Sequence, residues 1–139
     1  MRLYILDTDH LSLNQRNPTL FARYLKQIPS EQIAITIITA QEQLRGRFLQ
    51  INAARTEEQA IAAYQQLQKT IRWLNDYQVI DYDFAASRVY TNLRQQKIRI
   101  GTQDLRIAAI TLSVGGILVT RNQIDFGQIP ALTIEDWTK

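Results

Sequence analysis

The sequence predicts an α/β fold in which helices cover both faces of a parallel sheet. Short apolar runs, many of them rich in β-branched residues, alternate along the 139 residues with longer segments of helical periodicity. The runs are almost continuously apolar, which is typical of strands buried on both faces of a sheet. In such sheets the crossover connections are right-handed, and ligand sites lie beyond the carboxyl ends of the strands.

The first part of the chain contains two predicted strands and two short helices. An apolar run over residues 2–6 predicts the first strand, and residues 18–25 predict a short helix with Pro18 near its first turn. The β-branched segment 32–38 predicts the second strand. Three side chains are available to cap the helix after the first strand, namely Thr8, Asp9 and Ser12.

Two longer helices are predicted after the second strand. Thr39 is placed to cap the first of them, with Glu42 at its third position in the spacing of a capping box, and the helix extends towards Asn52. Residues 56–76 predict the next helix. Its apolar stripe comprises Ala60, Ile61, Tyr64, Leu67, Ile71 and Leu74.

The rest of the chain predicts three more strands, two helices and a short third helix. Asp83 is expected to cap one helix, and Thr102 is expected to cap another that ends at the Gly115–Gly116 pair. The predicted strands cover residues 78–80, 117–120 and 132–134.

The composition narrows the classes of function. A chain of 139 residues fits one domain, residues 1–139, and the absence of Cys excludes disulfides, thiolate metal sites and a thiol nucleophile. No apolar stretch is long enough for a transmembrane helix, and the first apolar run is too short for a secretory signal, so we expect a cytoplasmic protein. A net charge of +3 permits an anionic partner such as RNA.

Acidic residues occur where a parallel sheet would place a site. Asp7 closes the first strand, Glu42 and Asp104 lie near the starts of later helices, and Asn122 and Asp125 follow the fourth strand. Each acid could serve only as a helix cap or as a favourable charge at a helix N-terminus. Taken together, clustered carboxylates repel one another unless a cation is present, and oxygen ligands favour Mg²⁺ or Mn²⁺.

Five segments in order along the chain resemble the PIN-domain nucleases, particularly the VapC-like toxins of type II toxin–antitoxin systems. They are Leu6–Asp9, Ile38–Gly46, Ile100–Ala109, Val119–Phe126 and Ile129–Trp137. The resemblance implies a three-layer α/β/α sandwich with a mostly parallel sheet of four to five strands. It also implies a Mg²⁺-dependent endoribonuclease, with Mn²⁺ as an alternative ion, that hydrolyses RNA with metal-activated water. The implied partners are an antitoxin that blocks the site and a second copy of the chain.

Carried over by position, the resemblance assigns Asp7, Glu42 and Asp104 as metal-binding acids. The fourth position is open, because Asn122 stands where some PIN domains have Asp, and Asp125 could replace it.

Other side chains near these acids are assigned supporting roles. Thr8 and Thr120 would supply hydroxyl groups, and Asp9 would cap a helix or support the site indirectly. His10 is the only histidine, but metal-activated water needs no imidazole base.

A basic rim around the acids is expected to hold RNA phosphates, and the alternative is a solvated charged surface. The predicted rim residues are Arg45, Arg47, Arg99, Arg106 and Arg121, with Arg94 and Lys97 nearby in sequence. The aromatic residues Phe48, Tyr64, Trp73 and Tyr90 fit helical stripes and are interpreted as core or subunit contacts.

Three alternative functions remain open from the residues alone. A haloacid-dehalogenase-like phosphatase would also begin with Asp-x-Asp, but Leu11 stands where that class has Thr or Val. A receiver-like phosphoacceptor domain could use Asp81 or Asp83, but it lacks a lysine after a late strand. The third alternative is a PIN-fold protein that binds RNA or a partner without cleaving, and Asn122 favours it.

Overall fold

The computed structural model describes residues 2–139 and contains a five-stranded, fully parallel sheet. The strands are β1 (Tyr4–Leu6), β2 (Ile33–Thr36), β3 (Gln78–Ile80), β4 (Ile117–Val119) and β5 (Thr133–Glu135). Their order across the sheet is β3-β2-β1-β4-β5. Because β1 lies in the centre, the segments that follow β1, β2 and β4 leave the sheet side by side at one edge.

Seven helices connect the strands in the described part of the chain. They are α1 (Thr8–Arg16), α2 (Ala22–Gln27), α3 (Ile37–Ala53), α4 (Glu57–Leu74), α5 (Phe84–Gln95), α6 (Thr102–Ser113) and α7 (Gln123–Phe126). A 3-10 turn over Ser30–Gln32 precedes β2. Within residues 2–139 no helix combines the length and the apolar character needed to cross a membrane.

Successive strand residues point into two separate cores, one on each face of the sheet. Ile5 and Leu118 pack with helices α5 and α6, whereas Leu6 and Val119 pack with α1 and the C-terminal segment. This alternation is the period of two expected for a strand, and it makes three layers. The predicted α/β/α sandwich with a parallel sheet is confirmed.

The junction between β2 and α3 differs from the prediction. The strand ends at Thr36, whose hydroxyl caps α3 by accepting a hydrogen bond from the Thr39 N–H at 3.2 Å. Thr39 is therefore inside the helix, and Glu42 is its sixth residue, so the predicted capping box is wrong. The β-branched Ile37 and Ile38 suggested a longer strand, but Ile38 is buried in the core from the helix, and packing overrides local propensity.

Several other predicted boundaries are also corrected. Of the candidate caps for α1, Asp7 is the one that caps the helix, and Thr8, Asp9 and Ser12 do not. Helix α2 starts at Ala22, four residues after Pro18, and α6 begins at Thr102 without a side-chain cap. The expected caps at Asp83 and the strand at 78–80 are confirmed.

The apolar stripe predicted for α4 does not face the core as a whole. Ile61 and Tyr64 are each 59% exposed, and the buried residues of this helix are Ala63, Thr70 and Leu74. Helix α4 packs mainly against α3, and small residues on its inner face are suited to close approach of the two helices. A pattern of large apolar residues does not predict a buried face that is built mainly from Ala and Thr.

Candidate active site

An open cleft of about 550 Å³ lies at the carboxyl ends of the central strands. Asp7, directly after β1, and Asp104, in the first turn of α6, both line it. The full set of lining residues is Asp7, Thr8, Asp9, Ser12, Arg16, Asp104, Arg121, Asn122 and Phe126. The edge of the sheet predicted to carry a site is therefore the edge at which the acids meet.

The charge on Asp104 is strongly disfavoured. Burial and, after it, the negative charges of Glu42, Asp7 and Asp125 together raise the pKa of its carboxyl from an ordinary value of 3.8 to about 6. Carboxylates raise one another's pKa in this way only at short range. Glu42, Asp7 and Asp125 therefore lie close enough to Asp104 for their charges to act on it.

Asp7 is held rigidly by the start of helix α1. Its Oδ1 accepts a hydrogen bond from the His10 N–H at 2.7 Å, and the residue is 6% exposed. A carboxylate at a helix N-terminus is stabilised in its charged form. The capping role and a metal-binding role are compatible, because the second carboxylate oxygen is not needed for the cap.

A chain of hydroxyl groups holds Glu42. Thr8 donates a hydrogen bond from Oγ1 to Oε1 of Glu42 at 2.7 Å, and Thr8 Oγ1 lies 3.0 Å from Thr39 Oγ1. Thr39 in turn receives a hydrogen bond from Thr36 at 3.5 Å. Thr8 therefore links the loop after β1 to the helix after β2, and it orients the Glu42 carboxylate.

Asn122 and Asp125 act as one unit. The Asn122 side chain accepts a hydrogen bond from the Asp125 N–H at 3.2 Å and donates one from Nδ2 to Asp125 Oδ2 at 3.0 Å. The Asn122 N–H donates to the buried Thr120 hydroxyl at 3.0 Å. Asn122 thus orients the Asp125 carboxylate. The negative charge of Asp125 contributes to the raised pKa of Asp104.

Arg121 pairs with Asp9 at the mouth of the cleft. Its Nε lies 2.7 Å from Asp9 Oδ2, and its Nη2 lies 3.4 Å from Oδ1. Both side chains are about half exposed, at 52% and 44%, so this pair contributes little to stability. A paired guanidinium beside the acids is available to exchange its carboxylate for a phosphate.

Two lining residues were missed at the level of sequence. Ser12 and Arg16 line the cleft with Thr8, and Ser12 accepts a hydrogen bond from Gln43 at 3.1 Å. The three residues are spaced four apart, so they share one face of helix α1. That spacing was the signal that could have found them.

The remaining predicted rim arginines differ in position. Arg47 donates hydrogen bonds to Thr70 at 2.8 Å and to Gln50 at 2.9 Å. It therefore connects α3 to α4, and its predicted place in the rim of the cleft is wrong. The Arg106 guanidinium lies over the rings of Tyr82 and Tyr90 at 5.6 and 5.1 Å. Arg45 and Arg99 are exposed.

The predicted aromatic contacts also divide into two groups. Trp73 and Tyr90 pack against the two cores as partly buried residues. Phe48 and Tyr64 are 52% and 59% exposed on α3 and α4, so they are not part of the core.

The donor set suits a hard divalent cation. Its members are carboxylate oxygens with amide and hydroxyl groups beside them, and their mutual repulsion is what a cation would relieve. Within residues 2–139 no three acidic or histidine side chains already converge on one point as a ready-made metal cage. Asp7, Asp104 and Asn122 line the cleft, and Glu42 and Asp125 lie close enough to act on Asp104. Asp7, Glu42, Asp104 and the Asn122–Asp125 unit are the candidates to hold an ion.

Comparison with known proteins identifies relatives of the chain. No model of a known protein family matches the chain. The chain is 30% identical to Ribonuclease VapC1 of Haemophilus influenzae strain R2866 over 141 aligned positions, which cover 99% of both chains. The chain belongs to the VapC family of ribonucleases. It is also 26% identical, over 99% of both chains, to the tRNA(fMet)-specific endonuclease VapC of Salmonella typhimurium.

Solved structures of VapC-family complexes share the fold. The chain matches the DNA-bound VapBC structure from Salmonella typhimurium with a TM-score of 0.79, at 26% identity over 99% of both chains. VapBC-1 from nontypeable Haemophilus influenzae gives a TM-score of 0.78 at the same identity and coverage. Membership of the VapC family, which has the PIN fold, sets aside the phosphatase and receiver alternatives.

Proposed function

We propose that this VapC-family chain is a Mg²⁺-dependent endoribonuclease, with Mn²⁺ as an alternative ion, and that it is the toxin of a toxin–antitoxin pair. The observation that carries the metal dependence is the Asp104 carboxyl, whose pKa burial, Glu42, Asp7 and Asp125 together raise to about 6. When bound, a divalent cation would neutralise this charge, orient an RNA phosphate and activate water for its hydrolysis.

Each residue of the site has a proposed task. Asp7, Glu42 and Asp104 hold the ion, and Asp125 is the fourth acid, oriented by Asn122. Of the hydroxyl groups, that of Thr8 orients Glu42 and that of Thr120 supports the loop after β4.

The proposed RNA surface is a basic margin around the cleft. Arg121 and Arg16 line the cleft itself. The sequence adds Arg45, Arg99 and Arg106 to this margin, and Arg47 is left out because it bridges α3 and α4. Arginine side chains at such positions would hold phosphates in register without reading the base sequence.

The proposed partners follow from the structural relatives. Several of them are toxin–antitoxin complexes, including one from Klebsiella pneumoniae. We extend this pairing to the present chain and propose that an antitoxin covers the cleft. From the resemblance in sequence we also propose that two copies of the chain associate and that the protein acts in the cytoplasm. Residues 1–139 would form one nuclease domain.

A cleavage assay tests the function. Purified protein is incubated with a pool of structured RNAs in Mg²⁺, in Mn²⁺ and in excess chelator, with Asp7→Asn as the control for contaminating nucleases. We expect cleavage that requires the metal and is lost in Asp7→Asn. RNA binding without cleavage under every metal would contradict the proposal and favour the non-cleaving PIN-fold alternative.

The Thr8–Glu42 hydrogen bond makes a separate prediction. Thr8→Val keeps the shape of the side chain but removes the donor to Glu42, and we expect the cleavage rate to fall about 10-fold. Thr8→Ser retains the hydroxyl and is expected to stay within a few-fold of the parent rate. The measurement is the initial cleavage rate at saturating Mg²⁺. Equal rates for Thr8→Val and the parent would show that Glu42 needs no support from Thr8.

A further inference from the structure

His10 is fully buried between the cleft and the C-terminal segment. The imidazole is 0% exposed, and its two nitrogens face different parts of the chain. Nδ1 lies 3.5 Å from Oδ1 of Asp7, and Nε2 lies 3.3 Å from the backbone nitrogen of Trp137. The ring therefore spans the distance from a proposed metal-binding acid to the last turn of the chain.

The hydrogen bond at Nε2 determines where the imidazole proton resides. The Trp137 N–H donates to Nε2, so Nε2 must present a lone pair, and the neutral ring carries its proton on Nδ1. The Asp136 carboxylate is 3.6 Å from Nε2, but its Oδ1 already accepts the N–H and the hydroxyl of Thr138. A proton on Nε2 would instead point at the Trp137 N–H, and two donors cannot form a hydrogen bond with each other.

The Asp7 carboxylate is the acceptor that lies beside the Nδ1–H. Within residues 2–139, Nδ1 makes no hydrogen bond of normal geometry, and the acceptor beside it is Oδ1 of Asp7 at 3.5 Å. A buried N–H without an acceptor is costly, and a small shift of either side chain would complete this bond.

The ring cannot easily turn away from Asp7. It stacks on Phe21 with ring centroids 5.1 Å apart and planes at 17°. Phe21 meets the Trp137 indole edge-on at 6.1 Å, and Trp137 is 1% exposed. The C-terminal segment thus clamps the imidazole from the side opposite the cleft.

We propose that His10 is a positioning residue, which holds the Asp7 carboxylate for the metal through its Nδ1–H while the Trp137 N–H fixes its tautomer. The inference rests on the proposed function, because it takes Asp7 as a metal ligand. A group that donates a hydrogen bond to a metal-binding carboxylate, from the side away from the ion, sets the orientation of that carboxylate without contacting the substrate. The helix cap and the Nδ1–H approach the same oxygen, Oδ1, so together they hold the carboxylate and leave Oδ2 for the ion.

The tautomer can be measured directly, because His10 is the only histidine in the chain. Long-range proton–nitrogen NMR of ¹⁵N-labelled, metal-free protein reports both imidazole nitrogens without assignment. We expect one protonated nitrogen, Nδ1, and one unprotonated nitrogen, Nε2. A proton on Nε2, on both nitrogens, or averaged between them would overturn the proposal.

Two substitutions separate positioning from mere stability. His10→Asn can place a donor where Nδ1 lies but leaves the Trp137 N–H unpaired, whereas His10→Gln can accept from Trp137 but offers Asp7 nothing. We expect His10→Gln to weaken Mn²⁺ binding, followed by electron paramagnetic resonance of the free ion, by about 10-fold. His10→Asn should bind Mn²⁺ nearly as the parent does, although its melting temperature should be the lower of the two.

The opposite order of Mn²⁺ affinities, or equal affinities, would overturn the positioning role. Loss of Mn²⁺ binding in the parent protein would be a different failure, because it would remove the metal assignment in the proposed function. The imidazole spectrum needs no metal, so it would still report whether His10 presents its proton to Asp7.

Discussion

Asp104→Asn is expected to abolish RNA cleavage and, at the same time, to raise the melting temperature of the metal-free protein. Cleavage is lost because the substitution removes one of the three acids proposed to hold the ion. Stability rises because the charged Asp104 is buried near Glu42, Asp7 and Asp125, and the neutral amide is not repelled by them. A substitution that only damaged the fold would lower both quantities.

The pH dependence follows from the direction of the pKa change. The pKa of Asp104 is about 6 in the folded protein, above its ordinary value of 3.8. Its protonated form therefore stabilises the fold at low pH, and this contribution is lost as the pH rises through about 6. Because the group is partly solvated, we expect a difference of about 1–2 kcal/mol between pH 4 and pH 7.5, or about 3–8 °C in melting temperature.

Thermal unfolding of the parent and Asp104→Asn across this pH range, with chelator present, measures the effect. Titrating groups far from Asp104 affect both proteins equally, so the difference between the two curves reports Asp104 together with its repulsion by Glu42, Asp7 and Asp125. Asp81→Asn is a matched control, since Asp81 also follows a parallel strand but lies outside the cleft. The control should cleave RNA normally. A variant Asp104→Asn that cleaves like the parent would show that the site is assigned wrongly.

Trp137→Ala is expected to cost about 3–5 kcal/mol of the free energy of unfolding, as for other large buried aromatic residues. The indole is 1% exposed and stacks on Tyr24 at 5.1 Å, with Tyr4 and Phe21 at 5.8 and 6.1 Å. Its Nε1–H also donates to Glu135 at 3.1 Å. Removing it leaves a cavity under the segment that anchors His10.

Urea unfolding followed by circular dichroism measures this loss, and the chain's second tryptophan is a suitable comparison. Trp73 is only partly buried and meets Tyr77 edge-on at 6.2 Å. Trp73→Ala should therefore cost clearly less than Trp137→Ala. A loss below about 1 kcal/mol for Trp137→Ala would mean that the C-terminal segment is not part of the core.

The strands and the acids at their ends were predictable from local sequence. The run ending at Asp7 and the segment ending at Val119 are continuous apolar stretches, and a chain can bury such stretches only as central strands. Asp104 was likewise placed in the first turn of its helix. Helix starts were less predictable, because Thr36 and Thr39 are both good caps and only the length of the strand pairing decides between them.

The sequence by itself thus determined the fold class, the family and the acids of the candidate site, since periodicity and motif spacing are local properties. Only the tertiary structure decided how those acids are held: Glu42 by Thr8, Asp125 by Asn122, and Asp7 by the His10 that Trp137 secures. The Thr8–Glu42 contact joins residues 34 positions apart, and the His10–Trp137 contact joins residues 127 positions apart. Their contact exists because β1 lies between β2 and β4 and because β5 brings the C-terminus back beside β4, and no local pattern records that strand order.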